Sequence, residues 1–253
     1  MKIQFASDLH LEFADNSRYL KENPLIPVGD ILILAGDISY LNHPTLDTHP
    51  FWDWASRNYE QVIMAVGNHE LYNFYDLAKM PKGVAYSLRD NINYYYNSVI
   101  RIGNTDFIIS TLWSEISMER ASITKSRVSD FRRILYDGDN LTWQQFNSEY
   151  KKCLNFIKES IEKSDAEYII VVTHHVPSYL LSSPDFEGSL INGAFVSELE
   201  DFIKTSRIDY WIYGHSHRNI DRIIGNTSCL SNQLGYLSHN EHLDFDPQKY
   251  IEI

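Results

Sequence analysis

Ile31-Leu32-Ile33-Leu34-Ala35-Gly36-Asp37 is the stretch that decides how the rest of this chain is read. Five apolar residues in a row cannot alternate between core and solvent, so the run reads as an interior strand covered on both faces. It stops at a glycine, and the next residue is a carboxylate. The same order recurs along the chain. Ile3–Ala6 leads to Ser7-Asp8-Leu9-His10, and Val62–Val66 to Gly67-Asn68-His69-Glu70. Ile169–Thr173 leads to His174-His175, and Tyr210–Tyr213 to Gly214-His215-Ser216-His217.

Helical patterns fall between several of these runs. Pro50–Tyr59 has Pro50 suited to a first turn. Thr142–Lys163 carries Phe146, Tyr150, Leu154, Ile157 and Ile161 on one face, with Thr142 or Asn140 as N-cap. Phe195–Thr205 repeats the pattern. Strands alternating with helices predict a layered α/β fold. Close-set runs at Tyr94–Tyr96, Val99–Ile102 and Phe107–Ser110 predict hairpin-linked strands, the last two joined at Gly103-Asn104. Ile220–Ile224, Thr227–Leu230 and Tyr250–Ile253 make the C-terminal third β-rich. With no repeat, low-complexity stretch or linker, a single domain over residues 1–253 is expected.

The composition, 43% hydrophobic and 22% charged, is that of a globular chain with ample material for a core. A net charge of −12 argues against attraction to long nucleic acid or an anionic membrane. A phosphorylated small molecule stays open, because bound cations would invert the local sign. Cys153 and Cys229 form no redox or metal motif and read as buried apolar residues. No apolar run is long enough to cross a bilayer, and Met1–Asp8 does not open as a secretory signal, so a cytoplasmic location is expected.

Strand ends are where an α/β sheet binds ligands. Here they deliver carboxylates, imidazoles and one amide to one edge. The i, i+2 spacing of Asp8/His10 and of His215/His217 lets both members of an extended pair project to one side. Such mixed nitrogen and oxygen donors suit Mn, Fe or Zn better than Ca. Seven donors exceed one tetrahedral metal and fit two divalent ions sharing a carboxylate.

The set Asp8-x-His10, Gly36-Asp37, Gly67-Asn68-His69-Glu70, His174 and Gly214-His215-Ser216-His217 resembles the motifs of the calcineurin-like metallophosphoesterase superfamily, in order from residue 8 to residue 217. The resemblance implies a four-layer α/β/β/α sandwich with a dinuclear metal centre at the strand C-terminal edge. It implies Asp8, His10 and His217 on one metal, Asn68, His174 and His215 on the other, and Asp37 bridging. It also implies a catalytic His69 beside the metals, protonating the leaving group or steadying the transition state. The reaction implied is hydrolysis of a phosphomonoester or phosphodiester by a metal-bridging hydroxide. A non-catalytic scaffold and a nuclease for short oligonucleotides are the alternatives. His175 would point away along its strand and is expected to be structural, or at most to stand behind the ligands. His43, His49, His239 and His242 match no motif and are expected in solvated loops.

One departure stands out. The family often has a further acidic or amide residue soon after the Gly-Asp pair, and Ile38-Ser39-Tyr40 supplies none. A second feature is a local reversal of the chain's negative charge. Residues 120–133 hold Arg120, Lys125, Arg127, Arg132 and Arg133 against one acid, Asp130. Either this is a solvated face, or a flap within 113–140 uses Arg127, Arg132 and Arg133 to bind substrate, with Trp113, Phe131 and Tyr136 free for stacking.

Overall fold

The computed structural model describes residues 1–253 and has a strand at every apolar run named above. In chain order the first half holds β1 (Lys2–Ala6), α1 (Ala14–Glu22), β2 (Ile31–Leu34), α2 (Pro50–Asn58), β3 (Gln61–Ala65), β4 (Gly83–Arg89), β5 (Ile92–Tyr96), β6 (Ser98–Ile102) and β7 (Thr105–Ser110). Then come α3 (Ala121–Arg127), α4 (Asp130–Arg133), β8 (Leu135–Tyr136), β9 (Asp139–Asn140) and α5 (Trp143–Lys163). The chain closes with β10 (Tyr168–Thr173), α6 (Glu200–Thr205), β11 (Tyr210–Tyr213), β12 (Arg222–Ile224), β13 (Thr227–Ser231) and β14 (Tyr250–Glu252).

The strands form two six-stranded sheets of the same plan. One runs β14-β1-β2-β3-β5-β4, the other β12-β13-β11-β10-β7-β6. In each, four parallel strands occupy the middle and an antiparallel strand closes either edge. Parallel pairing sets the carboxyl ends of β1, β2 and β3 side by side, and likewise those of β10 and β11.

Two apolar layers explain the continuous runs. Ile3, Phe5, Ile31, Ile33 and Ile63 meet Phe107, Ile109, Ile170, Val172 and Ile212 between the sheets. The alternate residues Leu32, Leu34, Val62 and Met64 are buried on the opposite face with Trp52 and Ala55 of α2. Ile108, Ile169, Val171 and Trp211 are covered with Phe146, Cys153 and Ile157 of α5. Each such side chain contributes about 1.5–3 kcal/mol relative to exposure. The result is a four-layer α/β/β/α sandwich, as expected. The Thr142 hydroxyl accepts from Gln145 N at 3.3 Å while the Gln145 side chain accepts from Thr142 N at 2.9 Å, so α5 starts on a capping box.

Several expectations need correction. The helix expected from Phe195 begins only at Glu200, because residues 195–199 bond instead to the segment after β10: Val176 N to Phe195 O at 3.1 Å and Ser197 N to Val176 O at 2.9 Å. Neither α1 nor β4 was expected. His49 is no solvated residue, since its Nδ1 accepts from Phe51 N at 3.3 Å and caps α2. His242 is half-buried, its ring 5.1 Å from Tyr19. Trp113 and Phe131 are buried in the core rather than free for stacking. Tyr136 bonds Lys152 and Glu149 instead, each at 3.3 Å. No helix is long and apolar enough to cross a membrane.

Candidate metal centre

Where β1, β2 and β11 end, the backbone turns left-handed. Asp8, His10, Asp37, His215 and His217 have φ of 55°, 48°, 57°, 74° and 50°. Each such turn at a non-glycine residue costs on the order of 1–3 kcal/mol and persists only where the surroundings enforce it. Loop-to-loop bonds do so here: Asp8 N to Gly36 O and His10 N to Asp37 O at 3.0 Å, and Gly214 N to His174 O at 3.0 Å. Gly36 (φ 87°) is required twice over, since a Cβ there would stand 2.5 Å from Nδ1 of His174. At Gly214 a Cβ would stand 2.6 Å from Oδ2 of Asp8.

The side chains so delivered converge. Oxygen and nitrogen atoms of Asp8, His10 and His217 lie within 4.8 Å of one another, as do those of Asp37, His174 and His215, and of His10, Asp37 and His69. Asn68 joins through Oδ1, 3.0 Å from Nε2 of His174. All seven expected ligands therefore meet in one buried cluster, with His69 beside them.

The imidazole nitrogens are sorted by their partners. Nδ1 of His10 faces Glu12 at 3.2 Å, Nδ1 of His217 faces Glu241 at 2.6 Å, and Nδ1 of His174 faces the Ala35 carbonyl at 2.9 Å. These oxygens can only accept, so each Nδ1 carries a hydrogen and each Nε2 is turned inward. There Nε2 of His10 and His217 stand 3.2 Å apart, and Nε2 of His174 is 3.1 Å from Oδ1 of Asp37. Nε2 of His215 is buried without any partner. Ring nitrogens turned inward upon one another and upon the Asp37 carboxylate, together with an orphaned buried nitrogen, fit a divalent metal.

The electrostatics say the same. Burial would lower His174 and His217, but Asp37 and Asp8 around the first, and Asp8 and Glu241 around the second, push them up to about 9 and about 10. Burial would raise Asp37, yet His174 and His69 hold its carboxyl well below the usual range. With no cation bound, two imidazoliums supply the positive charge the carboxylates demand. Burial and neighbouring imidazoles keep His175 and His215 far below the ordinary histidine value, and thus neutral. His175 is packed between the His215 ring at 4.2 Å and Trp113 at 5.3 Å, directly behind a candidate ligand.

Five residues of the site were not singled out from sequence. Glu70 accepts from the backbone N–H groups of Gly67, Asp37, Ile38 and Ser39 at 2.7, 2.8, 2.6 and 3.3 Å, tying two ligand loops together. Glu12, its side chain shut away from solvent, accepts from Nδ1 of His69 at 2.9 Å. The same oxygen also faces Nδ1 of His10, so one carboxylate orients both rings. Asp130 holds Asn68, Glu241 holds His217, and the Tyr236 hydroxyl is 3.1 Å from Nε2 of His69. Glu70 closes the quoted Gly67–Glu70 motif and Glu12 lies two residues past His10; the other three carried no such signal.

A cleft of about 490 Å³ opens over the cluster, lined by Asp37, Asn68, His69, His215 and His217 on its floor side. Arg127 and Arg133 also line it; Arg132 does not, and donates to the Ser126 carbonyl at 2.9 Å.

Fold and site together define a two-sheet α/β protein whose strand ends hold a buried histidine–aspartate cluster able to bind metal. The chain belongs to the calcineurin-like phosphoesterase family, whose sequence model matches residues 1–219. An uncharacterised protein of Acanthamoeba polyphaga mimivirus is 30% identical over 99% of this chain and 96% of its own. Among solved structures, a phosphopantetheinyl hydrolase from Mycobacterium tuberculosis has the same fold, with a TM-score of 0.71 at 16% identity over 99% of this chain and 95% of that one. A dimetal phosphatase from Danio rerio is similar at a TM-score of 0.50 and 11% identity, over 99% and 91% of the two chains.

Proposed function

We propose that the protein hydrolyses small phosphomonoesters or phosphodiesters with two divalent metal ions, Mn, Fe or Zn, bound by Asp8, His10 and His217 on one side and Asn68, His174 and His215 on the other, with Asp37 shared. The observation that supports this best is the inward turn of the Nε2 atoms around Asp37, each Nδ1 being spent elsewhere. Divalent cations there supply neutralisation of phosphoryl charge and a lowered pKa for water at neutral pH.

The chain's own part is positioning and proton transfer. His69 N donates to Oδ1 of Asp37 at 2.8 Å, which keeps the ring beside the cluster without making it a ligand in this reading. Nδ1 is committed to Glu12 while Nε2 faces the cleft, 3.1 Å from the Tyr236 hydroxyl, so it is the imidazolium form of His69 that would give its Nε2 proton to the departing oxygen. A single catalytic domain extending past the matched residues is supported by Tyr236 and Glu241, which lie beyond residue 219 and line the cleft.

Metal analysis of substituted proteins tests the assignment. Asp37→Ala should lose both ions and His217→Ala chiefly one, with metal-dependent turnover of p-nitrophenyl phosphate or its bis ester falling in step. One ion or none in metal-replete wild-type protein would overturn the dinuclear reading.

A further inference from the structure

The cleft over the cluster is lined by two unlike groups of side chains. Phe13, Phe186, Ile191 and Phe195 supply apolar surface, whereas Arg127 and Arg133 bring positive charge to it. The arginine ion pairs of this protein are made by Arg18, Arg89, Arg101 and Arg218, so Arg127 and Arg133 face the cleft with no carboxylate of their own. Arg57, Arg120, Arg132, Arg207 and Arg222 also lack a carboxylate partner; what sets Arg127 and Arg133 apart is that they line the cleft beside the cluster.

Arg133 is also held in place. Its guanidinium lies 5.4 Å over the Tyr72 ring and donates to the Tyr40 hydroxyl at 3.3 Å. Its carbonyl accepts from Phe74 N at 2.9 Å. Tyr72 in turn donates to Asp130 at 2.7 Å, and Asp130 holds the Asn68 amide at 3.0 Å. The charge is thereby set at a fixed remove from the cluster through packed and bonded groups. A mobile surface arginine would have no such connection.

We infer, resting on the phosphoesterase reading above, that the substrate carries a second phosphate, taken by Arg127 and Arg133, and a partly apolar body between that phosphate and the scissile ester. Two guanidinium groups match a dianion with several acceptor oxygens, where a lone carboxylate would need only one. The body packs on Phe13, Phe186 and Phe195, which line the same cleft. Arg132, turned to Ser126, takes no part.

The test compares two probes that differ by one phosphate, adenosine 3′,5′-bisphosphate and adenosine 5′-monophosphate, on manganese-loaded protein. Dissociation constants are measured by titration calorimetry, or KM where a probe is turned over. Wild-type protein should favour the bisphosphate by about tenfold or more, the scale of charge-assisted hydrogen bonds at a partly exposed site. Arg133→Gln and Arg127→Gln should each bring the ratio close to one, while Arg132→Gln keeps it. All three positions are exposed, and thermal melts confirm folding. A wild-type ratio near one, a ratio untouched by both substitutions, or equal weakening of both probes would overturn the inference. Failure of the phosphoesterase reading shows separately, as no metal-dependent turnover of p-nitrophenyl esters by wild-type protein.

Discussion

Oδ1 of Asp130 accepts a hydrogen bond from the side-chain amide of Asn68 at 3.0 Å, across 62 residues of chain. A carboxylate only accepts, so the amide must present its NH₂ to Asp130 and its oxygen to the cluster, 3.0 Å from Nε2 of His174. The segment that carries the rim arginines thus also aims a candidate ligand.

Asp130→Ala should leave the Asn68 amide free to turn and so weaken metal binding by about ten- to a hundredfold, the usual effect of losing a residue that orients a ligand. Competition against a metal-sensitive dye measures it. Unchanged affinity would mean that Tyr72, 3.2 Å from the same amide, suffices to hold it.

His69→Ala should keep both metals and lose roughly 10²- to 10⁴-fold in turnover of alkyl phosphates, whose leaving oxygen needs a proton. The loss on p-nitrophenyl esters should be far smaller. Equal losses on both would show that His69 steadies phosphoryl charge, and loss of metal would place it among the ligands.

Glu70 is buried and serves four backbone donors from two loops. Glu70→Ala leaves those N–H groups unpaired and should cost about 3–5 kcal/mol of stability. Glu70→Gln, which keeps one accepting oxygen, should cost roughly half of that. Urea unfolding in the presence of chelator reads the difference without any contribution from metal.

Chelated protein should lose stability as pH rises from about 7 towards 10. His174 and His217 have folded-state values of about 9 and about 10, above the ordinary histidine value of roughly 6.5. The folded state therefore holds protons that the unfolded chain has released. The stabilisation is complete below roughly pH 6.5 and disappears as pH climbs through the two raised values. His10, His69, His175 and His215 are shifted down, so their effect falls on the acid side and does not mask the decline. Metal-loaded protein should show a much shallower decline over pH 7–9, since its ligand nitrogens no longer exchange protons and what remains is Glu70, which burial and Asp37 push up to about 8. A flat or rising curve in chelator would contradict this.

The strand ends were legible because their signal is local. An apolar run with no polar interruption must be buried on both faces, and the residues after it must leave the sheet at the carboxyl edge. Asp8, Asp37, Asn68, His174 and His215 could be placed on one rim from that reasoning alone. By contrast α1 contains only Tyr19 and Leu20 as large apolar residues. It is docked partly through Asn16, whose amide donates to the carbonyls of Leu9 and Gly235 at 3.1 and 2.8 Å. No periodicity within the helix announces such a partner. The half-exposed edge strand β4 escaped notice for a related reason, its burial alternating only weakly.

What the chain determines by itself is therefore the sheets and the residues at their ends, since hydrophobic burial and backbone pairing act between neighbours in sequence or in strand register. The tertiary structure alone decided which oxygens meet which nitrogens. Glu241 reaches Nδ1 of His217, Tyr236 reaches His69, and Asp130 reaches Asn68 only because separate loops close over one edge. It also separated Arg127 and Arg133, which line the cleft, from Arg132, which does not. Composition could count those charges but not aim them, because a side chain's direction depends on the turn its backbone makes after folding.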